Sequence, residues 1–144
     1  MSDAEAEQGI NEINRQVIAE FRANRGVVKT GRFAGTALLL LKTRGAKTGV
    51  ERTNPMMYAR SGNRLVVFAS KNAAPQHPHW YLNLLATPQV GVEIGDEDYV
   101  TKAEVLEGAE RQAVWEDAVR QFPFLAEMQA RTKRQLPVIA VERR

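Results

Sequence analysis

The chain has 144 residues, 44% of them hydrophobic, with ten glycines, six prolines and no cysteine. At that length one domain is expected, with a core that buries roughly two-thirds of the surface the unfolded chain exposes. Lack of cysteine excludes disulfides, thiol catalysis and iron–sulfur ligation.

The longest apolar run, Ala37–Leu41, is strand-sized and far short of the roughly 18 residues that cross a bilayer. The acidic start, MSDAEAEQGINEINRQ, lacks the basic-then-apolar layout of a secretory signal, so a cytoplasmic protein is expected. A net charge of +3 conceals an uneven distribution. From Arg22 to Lys71 there are eleven Lys and Arg residues against one acid, Glu51. Such a block marks either contact with an anion or a solvated face that meets acids elsewhere in the fold.

Ile10, Ile13, Val17, Ile18 and Phe21 recur at helical spacing, which predicts an amphipathic helix over roughly residues 9–25, stopped by Gly26. Residues 1–26 read as an N-terminal arm, Val27–Gly35 as a linker, and residues 27–144 as the main domain. Thr36–Thr43 is a continuous apolar run of the kind a doubly buried strand shows. After the glycine-bracketed turn Arg44–Gly49 comes a second strand, Val50–Arg60, where Pro55 implies an edge, a bulge or a strand start. Ser61-Gly62-Asn63 turns the chain into a third strand, Leu65–Ser70. A polar loop follows, then a short helix, His79–Ala86, which Thr87-Pro88 ends. Gln89–Ile94 and Tyr99–Leu106 alternate as strands. Glu110–Phe122 predicts a helix with Trp115, Ala118, Val119 and Phe122 inward, and Leu125–Thr132 a shorter one. Leu136–Val141 is a last strand. The order predicts an α+β fold: a mainly antiparallel barrel of about six strands with peripheral helices.

The turn Arg44-Gly45-Ala46-Lys47-Thr48-Gly49, with Arg52 after it, is the most informative stretch. Its glycines let a ligand approach the backbone, and Arg52 can grip a phosphate through two parallel hydrogen bonds. The glycine-to-lysine spacing is wrong for a nucleotide-binding P-loop, and a strand follows where that motif needs a helix. Lys71, at the end of the third strand, could complete a three-point anion clamp with Lys47 and Arg52. The Ser70 hydroxyl could bond a flat ring or a substrate oxygen, but no acid–base partners mark it as a nucleophile. His77-Pro78-His79 lacks the ligand set of a metal site, so no metal is expected. Trp80, Tyr81 and Asn83 suit either ordinary core or the edge of a planar cofactor.

Together, LLLLKTRGAKTGVERTNPMMY, VVFASK and PHWYLNLLATPQVGVEIG resemble the deazaflavin-dependent nitroreductase family, from about Ile13 to Val141. That resemblance implies a split β-barrel akin to the flavin-mononucleotide-binding oxidoreductases. It implies coenzyme F420, an 8-hydroxy-5-deazaflavin with a phosphodiester and a polyglutamate tail. Lys47 and Arg52 then match the phosphate-holding positions, and Thr48 and Gly49 the backbone donors. Pro55, Met56 and Tyr58 match the strand along the ring. Ala69, Ser70 and Lys71 match the strand end near ring and phosphate, and Trp80 and Asn83 the aromatic–amide pair. Ser70 is the one candidate for a catalytic role, toward substrate or proton.

Three departures stand out. Ala46 replaces a frequent arginine, Asn72-Ala73 replaces a frequent pair of glycines, and the stretch Phe122–Met128 holds no tyrosine. The implied activity is hydride transfer from reduced F420 to a quinone, an enone or a nitroaromatic. The alternative is a non-catalytic F420 or flavin mononucleotide binder. A nucleic-acid module is disfavoured, because aromatic residues are only 7% and do not interleave with the basic strands. A homodimer and a weak contact of the first helix with a membrane surface are further expectations.

Overall fold

A computed structural model describes residues 3–29, 35 and 37–143, with side chains described from residue 12 onward except that of residue 72. The expected linker therefore lies largely outside the described residues. Helix α1 (Asp3–Ala23) begins earlier than the apolar periodicity predicts. Strands β1 (Leu38–Arg44), β2 (Glu51–Met57), β3 (Ala59–Ser61) and β4 (Arg64–Phe68) follow. Helix α2 (His79–Ala86) leads into β5 (Gln89–Ile94), β6 (Glu97–Lys102) and β7 (Glu104–Val105). Helices α3 (Gly108–Gln121) and α4 (Phe124–Ala130) precede the last strand, β8 (Val138–Ala140).

All strand pairs are antiparallel, in two four-stranded sheets of order β2-β1-β5-β6 and β3-β4-β8-β7. The expected single barrel of about six strands is thus corrected to eight strands in two sheets among the described residues. The cause is local. One residue, Tyr58, separates β2 from β3, and one residue, Ala103, separates β6 from β7. Each of these stretches leaves the edge of one sheet for the edge of the other, and the bend interrupts the ladder. Val50–Arg60 and Tyr99–Leu106, each predicted as one strand, are therefore two apiece.

The core lies between the sheets. Leu39, Leu41, Val90 and Val92 from the first meet Leu65, Val67 and Ile139 from the second, and Trp80 and Leu84 of α2 join the same cluster. Each fully buried Leu or Ile contributes about 1.5–3 kcal/mol relative to exposure. The Leu38–Leu41 run of β1 is buried on both faces, since Leu38 and Leu40 pack with Val17 and Phe21 of α1 and with Val28. Ile13, expected on the inward stripe of α1, is 42% exposed. Behind the second sheet, Val66, Phe68, Val138 and Ala140 pack with Val114 and Ala118 of α3 and Leu125 of α4. Trp115, Val119 and Phe122 flank that cluster, half-buried.

Two polar ties lock the layers. Tyr99 Oη donates to the Val141 carbonyl at 2.9 Å, and Thr101 Oγ1 to that of Glu142 at 2.9 Å. Arg64 of β4 pairs with Glu104, Glu110 and Glu142, gathering β7, α3 and the chain end around one guanidinium.

Gly26 closes α1 against the β5–β6 turn. Its φ is +91°, and a Cβ there would lie 2.8 Å from Gly95 Cα and 2.9 Å from Gly95 N. Backbone atoms cannot swing aside as a flexible side chain can. Gly26→Ala should therefore destabilise the fold by about 2 kcal/mol or more, combining left-handed strain with a main-chain clash. Gly62→Ala, at φ +59° with open space around it, should cost only about 1 kcal/mol. Urea denaturation midpoints of the two variants check the difference.

Candidate functional site

The β1–β2 hairpin end is a tightly bonded turn. Gly45 N–H donates to the Val50 carbonyl at 2.8 Å, and Gly49 N–H to the Gly45 carbonyl at 2.8 Å. Val50 N–H donates to Thr48 Oγ1 at 3.2 Å, and the Arg44 guanidinium to the Gly49 carbonyl at 3.2 Å. Gly49 N–H, expected as a ligand donor, is thus engaged within the turn. The backbone N–H groups of Lys47 and Thr48 have no partner among the described residues. They remain as adjacent donors beside the Lys47 side chain.

Helix α2 fixes this turn in place. Asn83, buried on α2, accepts from Ala46 N–H at 3.0 Å through Oδ1 and donates through Nδ2 to buried Thr43 Oγ1 at 3.2 Å. Its amide is therefore occupied by the protein and acts as a brace for the turn. Trp80, one helical turn earlier, sits in the central core with Ala69. Met56 and Tyr58 pack against that same core, half-buried, and Pro55 is buried opposite Leu40. The hairpin end, α2 and the end of β4 are therefore linked through a shared set of contacts.

Ion pairing divides the basic block. Arg22 pairs with Glu93, and Lys42 with Glu93 and Asp98, while Arg64 holds its three carboxylates. Those cations serve the fold. Lys47, Arg52 and Lys71 are exposed and make no ion pair or side-chain hydrogen bond among the described residues. Three cations without counter-ions, with the free turn amides beside Lys47, suit a phosphate-bearing ligand.

The loop after β4 carries the other half of the candidate set. Ser70 precedes a single 3₁₀ turn, Lys71–Ala73, and its side chain makes no capping hydrogen bond. Lys71 and Ala73 lie at φ +45° and +61°, in a region L-residues seldom occupy. Helix α4 packs against this turn, and its Phe124 is 43% exposed. The tyrosine-free stretch thus stands beside the Ser70–Lys71 loop.

Arg134 was not foreseen as a site residue. Its guanidinium donates to the carbonyls of Ala69, Ser70 and Ala74 at 2.9, 2.6 and 2.7 Å, and lies 3.1 Å from His77 Nδ1. Within Lys133-Arg134-Gln135 it reads as a solvated charge. The available signal was the opposite partner: an irregular loop whose carbonyls need donors.

His77 stacks on Tyr81 at 4.8 Å and His79 is exposed. Among the described residues no group of three or more His, Cys, Asp or Glu could hold a metal ion.

Two tests follow from this geometry. Asn83→Ala strands the Thr43 hydroxyl in the core and should cost about 1–3 kcal/mol in a urea titration. Burial, and then the charge of Arg134, hold the His77 pKa below its usual 6.5. The folded form therefore binds fewer protons than the unfolded one, and this stability is present above pH 6.5 and lost as the pH falls below it. Amide protection factors in residues 69–77, taken against the intrinsic exchange rate at each pH, should fall between about pH 7.5 and pH 5.5 in the natural protein and far less in His77→Gln.

Residues 13–143 match the family described as F420H(2)-dependent quinone reductase. An F420H(2)-dependent quinone reductase of Mycobacterium tuberculosis (strain ATCC 25618 / H37Rv) is 35% identical over 112 residues, 74% of this chain and 73% of that protein. A solved F420-H2 dependent reductase is 40% identical with a TM-score of 0.66, covering 73% of this chain and 93% of its own. A structure described as a domain-swapped dimer is 35% identical with a TM-score of 0.68, covering 98% and 100%. The family so matched is named for quinones, where the motif resemblance pointed to a nitroreductase name. The chain belongs to the F420H2-dependent quinone reductase family, as an F420H2-dependent reductase whose cofactor is coenzyme F420.

Proposed function

We propose that this protein reduces quinones, holding the phosphate of F420 on Lys47, Arg52 and Lys71. The observation that carries this reading is the β1–β2 turn, where the Lys47 and Thr48 amides have no partner among the described residues and Lys47 and Arg52, like Lys71 after β4, have no counter-ion there. We read the two sheets, with strands passing between them at Tyr58 and Ala103, as a split β-barrel.

When bound, reduced F420 supplies a hydride to the acceptor, which with one proton yields the quinol. The chain's own residues bind and orient. The Lys47 and Thr48 amides and the Lys47 ammonium face one anionic group, and Arg52 offers a planar fork to the same charge. Half-buried Met56 and Tyr58 of the β2–β3 stretch would supply apolar surface for a flat ring, while Pro55 and Trp80 are buried within the fold. Asn83 acts on the cofactor through the turn it braces. The Ser70 hydroxyl would hold a ring or acceptor oxygen, and the proton would come from it or from solvent.

Phe124 and Met128 of α4 favour a planar apolar acceptor. With no tyrosine at Phe122–Met128, nitroaromatics and enones are the poorer substrates. The domain-swapped relative supports a homodimer for this chain also, which sedimentation equilibrium tests.

Lys47→Ala and Arg52→Ala should each weaken F420 binding by about 1–3 kcal/mol, or roughly 5- to 150-fold, in a fluorescence titration. Unchanged affinity in both variants removes the anchoring role. Reoxidation of F420H2 by a panel of quinones separates an enzyme from a carrier: tight binding without turnover supports the carrier.

A further inference from the structure

The loop after β4 is held in a form that its own residues do not favour. Lys71 and Ala73 have positive φ without being glycine, and its internal backbone bonds among the described residues are two, from Ala73 N–H to the Ser70 carbonyl and from Ala74 N–H to the Lys71 carbonyl. The rest comes from outside. Arg134 contacts Ala69 and Ser70 on one side of the turn and Ala74 and His77 on the other, so one planar group brackets Lys71–Ala73. No carboxylate pairs with Arg134 among the described residues. Its donors are aimed at main-chain carbonyls.

Arg134 is itself anchored. Its carbonyl accepts from Gln129 Nε2 at 2.8 Å, and Gln129 Oε1 accepts from Leu136 N–H at 2.8 Å. Gln129 lies on α4, so the brace joins the helix on the acceptor side to the loop on the cofactor side. An ammonium in its place offers three donors about a point and cannot span both limbs of the turn.

We propose that Arg134 is a positioning residue of the cofactor site: it holds the Ser70–Ala74 loop in its left-handed turn and thereby sets where Lys71 and the Ser70 hydroxyl stand. The role of Lys71 rests on the F420 reading above, whereas the bracing of the loop does not. Arg134 touches neither cofactor nor substrate, and its effect on binding passes through Lys71.

The test uses the full chain carrying Arg134→Lys, Arg134→Gln, Lys71→Ala, Ala73→Gly and the pairs Arg134→Gln/Ala73→Gly and Arg134→Gln/Lys71→Ala. Without cofactor, amide exchange should quicken in residues 69–77 of both Arg134 variants while β1, β4 and β5 stay protected. Arg134→Lys secures a reading where Arg134→Gln folds poorly. F420 affinity should fall about tenfold in either variant, the scale of one charged hydrogen bond. Ala73→Gly in the Arg134→Gln background should recover part of that loss, because glycine takes positive φ freely. Adding Arg134→Gln to Lys71→Ala should weaken binding no further, the mark of two residues acting as a unit.

Natural exchange and affinity in Arg134→Lys, or full additivity with Lys71→Ala, overturns the proposal. Failure of the unaltered protein to bind F420 overturns the functional reading instead, and the exchange data still judge the brace.

Discussion

A buried amide holds the candidate site together. Asn83 joins the β1–β2 turn to α2 by one accepted and one donated hydrogen bond, both inside the protein. Without that link, Lys47 and Arg52 would ride on a hairpin end free to sway in water. With it, the cations are referred to the same helix that sends Trp80 into the core. A hydrogen bond in a low-dielectric setting is costly to leave half made, so the turn and the helix are positioned together or not at all. The site is therefore built on the packing between the sheets and not on the loop alone.

Charge in this protein does two jobs, and burial separates them. Lys42 and Arg64 are partly covered, and their carboxylates come from distant stretches of the chain: Glu93, Asp98, Glu104, Glu110 and Glu142. The acidic half of the sequence closes over part of the basic half. Lys47, Arg52 and Lys71 stay exposed and have no carboxylate partner among the described residues, so positive potential remains at the hairpin end and at the loop after β4. An unpaired surface cation costs the fold little, because water solvates it, and it keeps its full attraction for an incoming anion.

Much of this was legible before the structure. The four leucines of β1 announced a strand covered on both sides, and Pro55 implied an edge, a bulge or a strand start, of which β2 is the edge. The glycine-bracketed turn with Lys47 and Arg52 identified the basic hairpin, and the motif spacing pointed to F420-dependent reductases, though under a nitroreductase name where the matched family is named for quinones. Other features were hidden for physical reasons. The bends at Tyr58 and Ala103 answer the demand of a second sheet that no local pattern encodes. Arg111, which lies outside the predicted inward stripe of α3, is buried with its guanidinium on the Leu136 carbonyl at 2.7 Å and over Trp115 at 5.2 Å. Arg134 was hidden in the same way. Both arginines bond main-chain oxygens, and such partners leave no trace in side-chain spacing. Asn83 was matched to an aromatic–amide pair at the cofactor, and its partners within the protein, Thr43 and Ala46, came only with the fold.

The position of Pro55 has one more consequence. The ladder between β1 and β2 runs unbroken from Leu38↔Met57 to Arg44↔Glu51, so the missing proline N–H falls on the side of β2 that faces away from β1. That outer rim has a gap in its row of donors, and it carries the charged pair Glu51 and Arg52 close by. A neighbouring molecule laying its own strand alongside would meet a missing bond in the middle and two ions at the end. Copies of this protein are therefore discouraged from joining by extension of the sheet across this rim.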